Sequence, residues 1–65
     1  MPVTLEVKGG RPAIQGSNAL DGGTVSVSGS SLVYRPQKGK GSQVAAPKKD
    51  GRYSVVLRGG SLSVR

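Results

Sequence analysis

Val55-Val56-Leu57-Arg58-Gly59-Gly60-Ser61-Leu62-Ser63-Val64-Arg65 reads as two short strands folded back on each other around a glycine doublet. Alternating apolar residues on either side of a Gly-Gly, Asn-Gly or Gly-Ser step are the strongest short-range sign of a β-hairpin. A two-residue loop needs backbone angles that glycine adopts without strain. The stretch recurs at a constant offset of 30, Val25 to Arg35 against Val55 to Arg65. A shorter pattern occurs three times: Val7-Lys8-Gly9-Gly10-Arg11, Val27-Ser28-Gly29-Ser30-Ser31 and Leu57-Arg58-Gly59-Gly60-Ser61. Working outward from these turns predicts three hairpins, at 3–16, 24–35 and 53–65. They form a single small all-β domain spanning 1–65, with about six short antiparallel strands arranged as a small barrel or an open sandwich.

The turns also set the registers, because side chains alternate between faces with a period of two. A turn at Gly9-Gly10 places Val7 opposite Pro12, Glu6 opposite Ala13 and Leu5 opposite Ile14. Val3, Leu5, Val7, Pro12 and Ile14 then share one face, and Thr4, Glu6 and Lys8 the other. Pro12 has no N–H, so the returning strand belongs at a sheet edge. Gly29-Ser30, with glycine first, suits a type II′ turn and pairs Val27 with Leu32 and Val25 with Tyr34. Gly9-Gly10 and Gly59-Gly60 permit type I′, and the latter pairs Leu57 with Leu62 and Val55 with Val64. Residues 16–23 are turn chemistry with Leu20 as an anchor into the core and a short helical turn over Asn18–Asp21.

Between the second and third hairpins, residues 36–51 hold two Pro, three Gly and four Lys, with Val44 and two Ala as the only apolar content. Loops beyond about 12–15 residues without structure of their own are uncommon and usually functional or disordered. This Lys/Gly/Pro-rich loop is the one long excursion in a chain otherwise turned tightly, and the expected place of contact with a partner.

With 65 residues the chain is one domain, below the size of about 70–80 residues at which a core alone suffices. Cys, His, Phe and Trp are all absent. Disulfides are therefore excluded and a structural zinc is nearly so. Self-association or docking on a larger assembly is the remaining staple. No apolar run exceeds the three residues of a stretch such as Val55-Val56-Leu57, too short to enter a bilayer, and no charged-then-apolar leader opens the chain. Synthesis in the cytosol, with a final place inside a particle left open, is the expected localisation.

Ten basic against three acidic residues give +7. Such an excess favours polyanions or acidic protein surfaces, and it also keeps a β-protein with open edges in solution. The candidate partner-binding cations fall into two groups. Lys38, Lys40, Lys48 and Lys49, with Arg52 just after, would make a flexible arm that orders on binding. Lys8, Arg11 and Arg58 beside the turns, with Arg35 and Arg65 at the strand ends, would make a positive rim. Arg35 and Arg65 are equivalent in the repeat and so are expected at the same height on adjacent hairpins, able to fork onto carboxylate or phosphate. Val33 and Val56 interrupt an otherwise Ser/Thr face and together mark a possible subunit contact, although isolated exposed apolar residues are ordinary. Gly39-Lys40-Gly41-Ser42 fails as a phosphate-binding loop, since position 34 is Tyr and no helix follows.

Tyr34 and Tyr53 are the only aromatics, and alternation turns both inward, which argues against stacking of bases on exposed rings. Phosphate binding driven by charge alone stays open. The carboxylates Glu6, Asp21 and Asp50 lie on separate elements, and there is no His or Cys to act as base or nucleophile. Neither an enzyme, a cofactor nor a small-molecule substrate is expected.

Two functional classes follow. In character the chain, rich in Gly, Ser and Val, poor in aromatics and free of Cys, resembles the small decoration, cement or minor structural proteins of bacteriophage particles. That resemblance implies a non-enzymatic β-module docking as a multimer on a capsid-like assembly. The alternative is a small basic SH3-like or OB-like barrel holding nucleic acid through its phosphates.

Overall fold

The computed structural model describes residues 2–65, and among them it is all-β with no helix. Eight short strands follow in order: β1 Val3–Lys8, β2 Arg11–Gln15, β3 Ala19–Leu20, β4 Gly23–Ser28, β5 Ser31–Arg35, β6 Ser42–Ala45, β7 Gly51–Arg58 and β8 Ser61–Val64. They build two four-stranded antiparallel sheets, ordered β2-β1-β7-β8 and β3-β4-β5-β6. The sheets pack face to face as an open sandwich and do not close into a barrel. Of the two expected architectures the sandwich is the one adopted.

All three expected hairpins form in the expected registers. Val7 pairs with Pro12 and Leu5 with Ile14; Val27 pairs with Leu32 and Val25 with Tyr34; Leu57 pairs with Leu62 and Val55 with Val64. Positive φ at both Gly9 and Gly10 and at both Gly59 and Gly60, but only at the first residue of Gly29-Ser30, gives the anticipated I′ and II′ turns. β2, which carries Pro12, is an edge strand, so its missing N–H breaks no ladder.

Two strands beyond the expected six correct the reading of the connections. Asp21-Gly22 is itself a two-residue turn with positive φ at both positions, pairing Leu20 with Gly23. The segment expected as a helical turn is therefore the short strand β3, and Leu20 is buried as anticipated. Residues 36–51 are not one free loop either. β6 pairs along β5, Leu32 with Val44 and Tyr34 with Ser42, and Ala46 N–H donates to Ser30 O at 2.8 Å. Val44, the lone branched apolar residue of that stretch, packs against the core and fixes β6 in place.

The core is the inward half of each alternation. Val3, Leu5, Val7, Val55 and Leu62 come from the first sheet; Leu20, Val25, Leu32 and Tyr34 come from the second. Each fully buried Val or Leu contributes about 1.5–3 kcal/mol relative to exposure. The first and third hairpins join through β1 and β7, with Val3 opposite Val55 and Leu5 opposite Tyr53. At one open side, Leu62 N–H donates to Ser42 Oγ at 3.1 Å and links the edges β8 and β6.

Candidate interaction surface

Directly paired residues share a face, so the registers decide which cations stand together. On β1, Val3, Leu5 and Val7 point inward, hence Thr4, Glu6 and Lys8 point outward. Lys8 stands beside Arg11, and Glu6 lies between Ala13 and Arg52. Thr4 lies between Gln15 and Ser54. Arg65 extends that row, exchanging backbone hydrogen bonds with Ser54 at 3.0 and 2.9 Å. Arg58 has the same parity as Arg52 on β7 and pairs with Ser61. Lys8, Arg11, Arg52, Arg58 and Arg65 are all exposed, so five of the ten basic residues occupy the outer face of the first sheet. From the level of Lys8 to Arg58 is eight residues of β7 or its extension, about 26 Å at ~3.3 Å each.

Among the described residues Glu6 is the one carboxylate within the strands of that face, and its Oε2 accepts from Arg52 Nε at 3.3 Å; Asp50, just before β7 at the level of Lys8, is engaged by the Gly9-Gly10 turn. The Arg52 side chain is 77% exposed, so the pair contributes at most about 1 kcal/mol and leaves the guanidinium reachable. The outer face of the second sheet is different in kind. Thr24, Ser26, Ser28, Val33 and Gln43 stand outward there, and among the described residues Arg35 is its only cation.

The expected groupings of cations are therefore rearranged. Arg35 and Arg65 belong to different sheets, so the 30-residue repeat does not bring them level on adjacent hairpins. Arg58 sits at the opposite end of the first sheet from Lys8 and Arg11, because β7 runs antiparallel to β1. No single rim forms; a face does. The four loop lysines are divided in the same way. Lys38 and Lys40 lie beside Gly60 at one end, whereas Lys48 and Lys49 precede β7 near the Gly9-Gly10 turn at the other. Val33 and Val56 are both half-buried, but they lie on the outer faces of different sheets and cannot share one contact patch.

Asp50 makes a structural contact that local sequence patterns do not reveal. Its Oδ2 accepts from Gly9 N–H at 2.9 Å and its Oδ1 from Gly10 N–H at 3.0 Å, tying β7 to the turn of the first hairpin. The N–H of Gly10 first, then that of Gly9, stabilises the ionised form and holds the carboxyl below its ordinary pKa. The contact spans about forty positions of chain, beyond any local signal.

Both tyrosines are spent on structure. Tyr34 is buried and its hydroxyl donates to Leu20 O at 3.0 Å and Asp21 O at 3.3 Å. Tyr53 is half-buried and donates to Lys49 O at 2.6 Å, which pins the lysine pair to the start of β7. The basic face thus consists of Lys and Arg among Thr, Ser, Gln, Ala, Glu6 and Val56, with no aromatic ring on it. No protein-family model matches the chain, and neither a curated protein nor a solved structure is significantly similar to it.

Proposed function

We propose that the protein is a non-enzymatic assembly module that docks the outer face of its first sheet on an acidic surface of a larger assembly. The observation that carries this reading is the segregation of Lys8, Arg11, Arg52, Arg58 and Arg65 onto one outer face, with Glu6 the one carboxylate within its strands and Asp50 at its Lys8 end taken up by the Gly9-Gly10 turn, while among the described residues the other outer face holds Arg35 as its one cation. A one-sided charge steers approach and fixes orientation more than it adds affinity. The arginines stand on paired strands, so little backbone ordering is lost when they bind. A capsid-like particle, the kind of assembly the composition resembles, offers such a repeated acidic surface. Replacing Arg11, Arg52 and Arg65 by Ser should release the chain from its native assembly while the isolated variant keeps its fold by circular dichroism. Sedimentation of the wild-type chain as a lone monomer that co-purifies with no macromolecule would overturn the proposal.

A second reading is favoured by the length of the face. Cations spread over about 26 Å with no protruding aromatics suit sequence-independent phosphate contacts. Under that reading, five neutralised phosphates give a log–log salt slope of about −4 to −5 on duplex DNA. A slope near zero would remove it.

A further inference from the structure

We propose that the Gly59-Gly60 turn is a receptor for an Asp or Glu carboxylate of the protein partner, with Lys38 and Lys40 beside it. The site rests on the docking role proposed above and adds a second, more specific point of contact to it. The precedent is inside the same molecule. At Gly9-Gly10, φ values of 61° and 75° turn two successive N–H groups outward, and Asp50 fills them with both carboxylate oxygens. Gly59-Gly60 has φ values of 59° and 81°, the same turn within a few degrees, and presents the same pair of donors. Among the described residues no side-chain carboxylate accepts from it. Gly59 and Gly60 are both exposed, so the turn stands open to solvent.

What surrounds the turn strengthens the case. Gly60, Leu57, Lys38, Lys40, Tyr34 and Asp21 line an open cleft of about 420 Å³, and the exposed Arg58 precedes the turn. Two lysines at this cleft favour an anion by Coulomb attraction. Asp21 is the one opposing carboxylate, and among the described residues it forms no ion pair with either lysine. The other two tight turns lack these features. Asp21-Gly22 carries its own carboxylate and has Gln37 packed at Gly22, and Gly29-Ser30 has positive φ only at its first residue.

The test is an amide chemical-shift titration of the intact ¹⁵N-labelled chain with acetate and then with a hexaglutamate peptide. Gly59 and Gly60 should move saturably with both probes, while Gly9 and Gly10, already held by Asp50, should not. D50N should make Gly9 and Gly10 respond too. The double variant K38A/K40A should weaken hexaglutamate binding by about twofold to tenfold, and D21N should strengthen it by about twofold. If hexaglutamate moves Thr4, Ser54 and Ser63 on the basic face but leaves Gly59 and Gly60 still, the turn is refuted and the docking face stands. If the turn responds and those three amides do not, the docking face fails and the receptor survives. Inorganic phosphate shifting the turn at concentrations where acetate does not would overturn the carboxylate assignment.

Discussion

Gly23 is where two strands and a connection meet most closely, and substituting it tests the packing of the second sheet. A Cβ there would press into the Arg35 carbonyl oxygen and stand 2.8 Å from both Pro36 Cα and Tyr34 Oη. Real Cβ atoms do not approach backbone so closely, so β4 must part from the end of β5. Overpacking of this kind costs about 1–3 kcal/mol. The displacement also pushes away the Tyr34 hydroxyl, whose hydrogen bonds to Leu20 O and Asp21 O contribute about 0.5–1.5 kcal/mol. Gly23→Ala should therefore destabilise the chain by about 2–4 kcal/mol, a large part of the ~3–10 kcal/mol available to a domain of this size. Urea unfolding followed by circular dichroism measures it. Because the two effects share one hydroxyl, Gly23→Ala and Tyr34→Phe should add to less than their sum in a double-mutant cycle. A Gly23→Ala variant within 0.5 kcal/mol of wild type, or strict additivity, would refute the close approach.

Other perturbations separate core, turn and surface. Leu32→Ala removes a fully buried side chain facing Val44 and should cost about 2–5 kcal/mol, whereas Val33→Ser, one position away and facing outward, should shift the urea midpoint little. Acid should weaken the tie between Asp50 and the first turn. Its folded pKa lies below the unfolded value of about 3.9, so its contribution is full above that value and lost as pH falls through the lowered one. Asp50→Asn should flatten that part of the stability–pH curve, and an unchanged acid limb would show that the carboxylate is not holding the turn. Glu6→Gln frees Arg52 and should leave stability within about 1 kcal/mol while strengthening retention on an anionic matrix such as heparin; weaker retention would contradict the exposed geometry of the pair.

The hairpins were legible because three local signals agree at each of them: a two-residue turn that opens on glycine, alternation of period two, and apolar partners at equal distances from the turn. Asp21-Gly22 carried an equally strong signal, but its flanking strand is only Ala19–Leu20, too short to show alternation. β6 was hidden for a different reason. Ser42-Gln43-Val44-Ala45 has little strand character of its own and is held by the ladder that β5 offers it, so tertiary pairing overrides weak propensity. The assortment of hairpins into sheets is also beyond local reading. The 30-residue repeat suggested that the second and third hairpins are neighbours, yet the third joins the first, where Val3, Leu5 and Val7 meet Val55, Tyr53 and Gly51. The misplaced rim and the misplaced valine patch both follow from that one non-local choice.

The same periodicity that builds the core also builds the basic face, and the two cannot be varied separately along β7. Tyr53, Val55 and Leu57 point inward, so Arg52 and Arg58 must point outward, and the register with β1 and β8 brings Lys8 and Arg65 to the same side. A slip of one residue would drive Arg52 into the interior and expose Val55, exchanging a hydrophobic gain for a buried charge. The strand arginines are thus held to their face by the stability of the fold itself. Lys38 and Lys40 sit outside the ladders, under no such constraint. Equal charges at the two places therefore differ in use. Under the proposed docking, the face would supply a preset orientation toward an acidic surface, and the two lysines attraction at the Gly59-Gly60 end, where donors aimed by the turn would give the contact its geometry.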